Sequence, residues 1–224
     1  MLVFPSPEEA EPEGLLAVGG DLSLERLLLA YCLGIFPWYS EGSQILWWSP
    51  DPRLILSLKN LHVSKSLSRV IRKNIFKVTL DQAFEAVIQG CAHAQRPDEK
   101  GAWIVKDMIK AYIKLYEAGY AHSVESWFDG KLVGGVYGVS LGRVFFGESM
   151  FYTMKNASKV AFVYLARLLE KWRFDMIDCQ VSTANLIRFG AHEISRSRFL
   201  KRLAKALQHE TLRGQWNPPE NFAC

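Results

Sequence analysis

The fold is decided by residues 131–181, which read KLVGGVYGVSLGRVFFGESMFYTMKNASKVAFVYLARLLEKWRFDMIDCQV. Residues 131–139 are rich in Val, Tyr and Gly, which is typical of a β-strand. The Leu141-Gly142 pair predicts a tight turn, and 143–146 predicts the return strand. A glycine then ends this strand, so we expect Glu148 in the loop that follows.

The second half of this stretch predicts a helix and a short buried strand. Asn156 is a suitable N-cap for a helix from 157 to about 172, where apolar residues recur at helical spacing. Met176–Val181 is a short apolar run that carries two polar residues, Asp178 and Gln180. With strands and helices in this order, the chain is predicted to have an α+β fold, a mixed sheet flanked by helices.

Asp178 and Gln180 are candidate functional residues because of where they stand in this strand. Side chains alternate along a strand, so the two point to one face, and buried polar groups are costly unless they are satisfied. Glu148 should lie near the same sheet edge, which would complete a plausible active-site floor. A simpler interpretation is that Asp178 caps a turn or pairs with an arginine, and that Gln180 bonds to backbone.

Composition limits the class of protein. The chain has 224 residues, 49% of them hydrophobic, enough for one large domain or a main domain with a small one. Its four cysteines, at 32, 91, 179 and 224, are scattered without metal-ligand spacing, which predicts a reduced, cytoplasmic protein with no metal site. The acidic, proline-rich start is unlike a signal peptide, and no apolar run approaches the roughly 20 residues that span a membrane.

Aromatic residues are dense in the segment 35–53, IFPWYSEGSQILWWSPDPR. Phe36, Trp38, Tyr39, Trp47 and Trp48 stand there between prolines. They could line a pocket, stack on a base, or pack a small domain that has little other core; the last interpretation accounts for most of them.

Basic residues dominate the segment 52–80, which contains no acid. Ser64 is a candidate N-cap for a helix over 65–73. On that helix one face carries Lys65, Arg69, Arg72 and Lys73. Such a stripe needs either solvent or a polyanion, and the lack of any compensating acid favours a phosphate backbone.

Three further local signals lie outside these segments. Asp81 is a candidate N-cap for the helix that follows it. Asp129-Gly130 predicts a hairpin turn. Residues 195–208, SRSRFLKRLAKALQ, predict a last, basic helix.

Short motifs with a fixed order run through the chain from residue 4 to about 194. They are GGDLS at 19–23, GIFPWY at 34–39, WWSPDPR at 47–53, GESMF at 147–151, NASK at 156–159 and DCQ at 178–180. Together they resemble the leucyl/phenylalanyl-tRNA–protein transferase family.

The resemblance implies an aminoacyltransferase. It would move Leu or Phe, and Met less well, from aminoacyl-tRNA to the α-amine of a protein beginning with Arg or Lys, which marks that protein for N-degron (N-end rule) degradation. The implied fold is a small N-terminal domain, residues 1–55, and an acyltransferase domain, 56–224, like that of the acetyl-CoA-dependent N-acetyltransferases (GNAT-like). No cofactor is implied. We expect a monomer that binds tRNA and acceptor proteins and no membrane.

The resemblance also implies residue roles. Asp178 and Gln180 match the catalytic pair, and Glu148 matches the pocket glutamate. The matching pocket and acceptor-end aromatics are Tyr31, Trp38, Trp103, Tyr112 and Phe145. The matching tRNA-binding residues are Lys65, Arg69 and Arg72. As contributors to an apolar donor pocket we suggest Val136, Met150, Phe162 and Leu165, each of which could equally be plain core.

The chain departs from the family pattern after the DCQ motif. Thr183, Asn185 and Arg188 stand where the family typically has Asn, His and Ser, whereas Gly190-Ala191 is kept. Two other functions stay open, an acetyl-CoA-dependent N-acetyltransferase and a non-catalytic tRNA-binding protein. The first would need a glycine-rich pyrophosphate loop, and residues 151–159 contain no glycine.

Overall fold

A computed structural model describes residues 3–94 and 104–218. Its strands are β1 (Leu15–Val18), β2 (Phe36–Pro37), β3 (Leu46–Trp48), β4 (Arg53–Leu56), β5 (Lys77–Leu80), β6 (Ala121–Phe128), β7 (Lys131–Leu141), β8 (Val144–Tyr152), β9 (Met176–Gln180) and β10 (His192–Ile194). Its α-helices are α1 (Leu24–Cys32), α2 (Lys65–Arg72), α3 (Phe84–Ala92), α4 (Lys106–Glu117), α5 (Ala157–Lys171), α6 (Ala184–Arg188) and α7 (Arg196–Ala206).

The strands form two sheets. The larger has the order β10-β4-β9-β8-β7-β6-β5, and the smaller the order β1-β3-β2. Neighbours in both sheets are antiparallel except β8 and β9, which are parallel and are connected through α5. The predicted α+β class with a mixed sheet is therefore confirmed. Residue 55, where we expect the domain boundary, lies inside β4 of the larger sheet, and the division into two domains stays a prediction.

Helices cover both faces of the larger sheet. Tyr137 and Val139 of β7 face a core that includes residues of α1, α3, α4 and α7. Val136, which directly precedes Tyr137, points to the opposite face and into a second core formed with α2 and α5. The sheet therefore separates two apolar layers, and the alternation of side chains along its strands decides which layer each residue enters.

The prediction that a glycine ends the return strand before Glu148 is wrong, because β8 continues through Glu148. Gly147 lies opposite Gly138, but Glu148 has no residue opposite it, so Glu148 is the extra residue of a β-bulge. The bulge shifts the side-chain alternation by one. As a result Phe145 and Met150, five positions apart, pack on the same core.

The other local predictions have mixed outcomes. The helix α5 has the predicted extent, but Asn156 precedes it in a left-handed conformation, with φ 73°, and its side chain makes no capping bond. Ser64 caps α2 as predicted, by accepting a hydrogen bond from the Leu67 backbone at 3.3 Å. The last basic helix is α7, and Asp129-Gly130 forms the turn between β6 and β7 with positive φ at both residues.

Asp81 does not cap the following helix, whose N-cap is Ala83. Its buried carboxylate instead accepts hydrogen bonds from the backbone N–H of Ser123 and of Trp216, both at 2.8 Å, and lies 2.9 Å from His122 Nδ1. The reason is burial: Asp81 enters the sheet interior, where several donors converge on it, before the helix begins. Across residues 3–94 and 104–218, no helix is long and apolar enough to cross a membrane.

Candidate active site

A cavity of about 480 Å³ lies where β8 and β9 stop pairing. Their ladder ends at Phe146 and Asp178, although both strands continue beyond those residues. The cavity is lined by the residues just past the ladder and by apolar side chains, among them Phe36, Trp38, Val136, Phe145, Glu148, Met150, Phe162, Leu165, Gln180, Thr183 and Asn185. Its size is typical of a site for a small organic group.

Glu148 sits in a buried cluster of hydrogen-bond donors at the wall of this cavity. Tyr31 Oη donates to Glu148 Oε1 at 2.8 Å, and Tyr112 Oη donates to Oε2 at 3.0 Å. Gln180 Nε2 also donates to Oε1 at 2.8 Å. The bulge aims this carboxylate towards α1 and α4, which carry the two tyrosines.

The number of protons available in this cluster favours a Glu148 side chain that is easily protonated. The two tyrosine hydroxyls also contact each other, so three contacts share two hydroxyl protons, and a protonated Glu148 would supply a third. Burial is the largest cause that raises the pKa of Glu148; the bonds from Tyr31 and Tyr112 oppose it, and the resulting pKa is about 7. Burial, followed by the charge of Glu148, raises the pKa of both tyrosines, which therefore stay donors.

Asp178 is bound by an arginine that the sequence did not identify. Arg53 Nε donates to Oδ1 at 2.9 Å and Nη2 donates to Oδ2 at 2.7 Å, a two-pronged ion pair with both side chains almost fully buried. The simpler interpretation of Asp178, a pair with an arginine, therefore describes its contacts. With both oxygens bound, Asp178 is poorly placed to accept a proton from a substrate.

The side chain of Asp178 binds the backbone of Gln180 and not the side chain of Gln180. Its Oδ1 accepts the Gln180 backbone N–H at 3.0 Å, and Gln180 adopts a left-handed φ of 61°. The expectation that the Gln180 side chain bonds to backbone is wrong, because its amide nitrogen binds Glu148 instead. Within the described residues its Oε1 accepts no hydrogen bond, which leaves that oxygen for a ligand.

Cys179 also lines the cavity, between the two polar residues. Burial, with a further contribution from Asp178, raises the pKa of this thiol far above its usual range. Because the thiolate is the nucleophilic form, Cys179 is not suited to form a covalent intermediate.

The structure brings most of the predicted site residues together. Asp178, Gln180, Glu148, Tyr31 and Tyr112 form the polar cluster. Trp38 and Phe145 line the cavity, as do the four suggested pocket residues Val136, Met150, Phe162 and Leu165. Trp103 lies outside the described residues. Lys65, Arg69 and Arg72 are exposed on α2 and do not line the cavity.

Two sets of residues near the cavity received no role from the sequence. Arg53 opens the strand β4, which is otherwise Leu-Ile-Leu, and a lone charge in an apolar strand signals a buried partner of opposite charge. Thr183 and Asn185, two of the three positions that depart from the family pattern, line the cavity, whereas Arg188 does not. Asn185 Nδ2 lies 3.9 Å from Met150 Sδ. Two of the three departures therefore fall at the site itself.

The donor set does not suggest a metal centre. Across residues 3–94 and 104–218, no group of three or more His, Cys, Asp or Glu side chains is arranged to hold an ion. What the site offers is a carboxylate, an amide and two phenols beside an apolar cavity. Such an arrangement is suited to a group-transfer site, because it offers space for an apolar group next to acceptors for a proton.

Comparison with known proteins identifies the family. A model for leucyl/phenylalanyl-tRNA protein transferase matches residues 55–204, and a model for the N-terminal domain of the same family matches 20–51. The leucyl/phenylalanyl-tRNA–protein transferase of Anaeromyxobacter sp. (strain Fw109-5) is 58% identical over 214 residues, which are 96% of this chain and 91% of that protein. The one of Oleidesulfovibrio alaskensis is 56% identical over 226 residues, with 99% and 91% covered.

The chain therefore belongs to the leucyl/phenylalanyl-tRNA–protein transferase family and is an aminoacyltransferase. Among solved structures, L-PGS from Bacillus licheniformis aligns with a TM-score of 0.41 and 13% identity over 72% of this chain and 52% of that one. A similarity this low supports no conclusion about the fold or the function.

Proposed function

We propose that the enzyme transfers Leu or Phe, and Met less well, from aminoacyl-tRNA to the N-terminal α-amine of proteins that begin with Arg or Lys. Membership in the family supports the reaction. The observation that carries the proposal is the placement of Glu148 and Gln180 at the wall of an apolar cavity where β8 and β9 separate. The modified proteins would then enter N-degron degradation.

The proposed reaction is the aminolysis of an ester. The acceptor nitrogen forms a bond to the aminoacyl carbonyl carbon, the bond from that carbon to the tRNA 3′ oxygen breaks, and a proton passes from the amine to the leaving oxygen. Gln180 Oε1 is placed to accept from the attacking amine, because its amide nitrogen is held by Glu148. The protein contributes mainly by positioning the reactants and guiding the proton.

Glu148 is the proposed determinant of acceptor choice. An N-terminal Arg or Lys brings two positive groups, which a carboxylate favours. Arg53 already neutralises Asp178, so within the polar cluster Glu148 supplies the negative charge that a substrate can use. Acceptor binding should therefore depend on the ionisation of this one residue.

The apolar part of the cavity is the proposed donor pocket. Val136, Met150, Phe162 and Leu165 line it together with Phe145. A pocket with fixed walls near the donor Cβ admits Leu, Phe and Met and excludes the β-branched Val and Ile.

The exposed face of α2 is the proposed tRNA contact. Lys65, Arg69 and Arg72 are exposed there, and a dense basic surface binds the phosphate backbone with little dependence on sequence. We further propose a GNAT-like fold for the larger sheet, a monomer, and a cytoplasmic location. The parallel β8–β9 pair, which separates beside the cavity, supports the fold assignment.

The test is transfer of labelled Leu from Leu-tRNA to a peptide that begins with Arg, without ATP or coenzyme A. The matched control is the same peptide with an acetylated N-terminus. Label on the free peptide alone supports the proposal. Binding to immobilised coenzyme A would instead favour an N-acetyltransferase, and tRNA binding without any transfer would favour a non-catalytic tRNA-binding protein.

A further inference from the structure

Arg53 is held by an ion pair along one edge of its guanidinium and by two aromatic rings. Its guanidinium lies 4.8 Å from the ring centroid of Phe36 and 4.5 Å from that of Phe199. Nε and Nη2 bind the two oxygens of Asp178, and the side chain is 1% exposed. Such a fork between two rings orients a carboxylate in a way that a single flexible cation cannot.

The consequence for Gln180 follows through two hydrogen bonds. Because Arg53 fixes Asp178, Oδ1 of Asp178 is held where it accepts the backbone N–H of Gln180 at 3.0 Å. That bond supports the left-handed φ of 61° at Gln180, a conformation that residues other than glycine rarely adopt. In this conformation the amide nitrogen of Gln180 reaches Glu148, and no group within residues 3–94 and 104–218 donates a hydrogen bond to its oxygen.

We propose that Arg53 is a positioning residue for the transfer reaction: it acts through Asp178 to hold Gln180 in its reactive orientation. This inference rests on the proposed function. It also gives Asp178 a specific task, to transmit the orientation of Arg53 to the backbone of Gln180. Arg53 would set the rate of the chemical step and have little influence on the binding of either substrate.

The test is the Arg53→Lys variant, which keeps the positive charge and removes the two-pronged contact. We expect kcat to fall about 10²-fold, because a small displacement of a reacting group costs that much. The KM for an Arg-initiated peptide and the Kd for tRNA should stay within about twofold of the wild type, since neither binding surface is changed. A raised KM with an unchanged kcat would overturn the inference.

The matched control is Arg196→Lys. Arg196 is a second buried arginine, 6% exposed, whose Nη1 donates to the Pro7 carbonyl at 2.7 Å, and it does not line the cavity. This substitution should lower the melting temperature and leave kcat unchanged. If both variants lower kcat equally, Arg53 has only a general structural role.

A double variant separates this inference from the proposed function. In an Asp178→Ala background, Arg53→Lys should reduce kcat no further, because no side-chain oxygen is left to connect Arg53 with the backbone of Gln180. Additive losses would show that Arg53 acts by another route. Normal activity of Asp178→Ala itself would instead contradict the proposed catalytic site.

If Arg53→Lys does not fold, Phe199→Leu decides the question. It removes one of the two rings that hold the guanidinium and keeps a large apolar side chain in the core. We expect kcat to fall about threefold with KM unchanged, because the variant loses one cation–π contact with Arg53. An unchanged kcat per folded enzyme would overturn the inference.

Discussion

Single residues of the polar cluster have different contacts and therefore different proposed tasks. Among the described residues, the side-chain oxygen of Gln180 accepts no hydrogen bond, whereas both oxygens of Asp178 are bound within the protein. Glu148 accepts hydrogen bonds from three donors, yet its pKa of about 7 lies close to neutral pH. Substitutions at these positions should consequently alter different steps of the reaction.

Removing the Gln180 or Asp178 side chain should lower turnover much more than tRNA affinity. We expect Gln180→Ala and Asp178→Ala each to lower the single-turnover rate by about 10²–10⁴-fold, the usual contribution of a positioned proton acceptor, because Gln180 is the proposed acceptor and Asp178 holds it in place. The tRNA Kd, measured by filter binding, should change less than twofold because neither residue lies on α2.

The matched control for this pair is Asp175→Ala. Asp175 is an exposed aspartate just before β9 and outside the cavity. Its variant should keep the wild-type rate. Near-normal rates for both Gln180→Ala and Asp178→Ala would remove the two residues from the proposed mechanism.

The pKa of Glu148 predicts how acceptor binding depends on pH. With a pKa of about 7, this carboxyl group is about one-tenth ionised at pH 6 and about nine-tenths at pH 8. Its charge is therefore gained as pH rises, and the KM for an Arg-initiated peptide should fall over this range. We expect a fall of about 10-fold, which corresponds to the free energy of one charge-assisted hydrogen bond. Steady-state kinetics at several pH values would measure it.

Glu148→Gln provides the control for that experiment. The α-amine of the peptide also loses its proton in this range, with a usual pKa near 8, and does so equally in both enzymes. The KM of the Glu148→Gln variant divided by the KM of the wild type therefore isolates the contribution of Glu148. This ratio should increase with pH. A ratio that does not change between pH 6 and pH 8 would contradict the assignment.

At the scale of secondary-structure elements, the candidate site depends on irregular features of the strands β8 and β9. The bulge in β8 turns Glu148 towards the tyrosines of α1 and α4. The early end of the β8–β9 ladder opens space between the strands for the cavity. A regular sheet would fill this space with backbone hydrogen bonds and would leave no room for a substrate.

The helix α2 is the element for which we predict a salt-dependent effect. Reversing Lys65, Arg69 and Arg72 to Glu should weaken tRNA binding and reduce the slope of log K against log salt concentration. The reduction should be about 0.7–0.9 for each phosphate contact that is lost. Filter binding at a series of salt concentrations would measure it, and an unchanged slope would exclude α2 from the interface.

The helix α4 offers a matched control with the same charge change. Lys106, Lys110 and Lys114 are exposed on it at a spacing of four residues. Their reversal to Glu should leave the slope largely unchanged, because α4 has acidic neighbours such as Asp107, which lies 3.6 Å from Lys110. Equal effects of the two triple variants would indicate non-specific attraction.

At the scale of the whole molecule, the segment after α7 is fastened to the larger sheet by Trp216. Its indole stacks on the His122 ring with centroids 3.7 Å apart, and its backbone N–H donates to Asp81. The indole also contacts Phe145, which lines the cavity, at a centroid distance of 5.9 Å. This contact connects the end of the described chain to the core beneath the site.

Trp216→Ala should therefore destabilise the fold by about 3–5 kcal/mol, the usual effect of removing a large buried aromatic side chain. Urea unfolding followed by circular dichroism would measure the change. Because Trp216 does not line the cavity, kcat per folded molecule should be unchanged. Trp216→Phe, which keeps an aromatic ring against His122, should lose less stability, and equal losses would show that stacking is unimportant.

The sequence by itself determined the class of fold and much of the site, because the signals for them are local. Helical spacing predicts α5, Ser64 marks the start of α2, and two polar residues in an apolar strand identify Asp178 and Gln180. The ordered motifs indicate the family. Each of these signals lies within a few residues of the feature that it predicts.

Only the tertiary structure decided how the polar groups are paired. Arg53 and Asp178 are 125 positions apart in the chain, and Tyr31 and Glu148 are 117 apart. The bulge that presents Glu148 is a matter of register between two strands, and alternation along one strand does not reveal it. These pairings form because burial forces distant charges and donors to satisfy one another, and which groups meet is known only once the chain is folded.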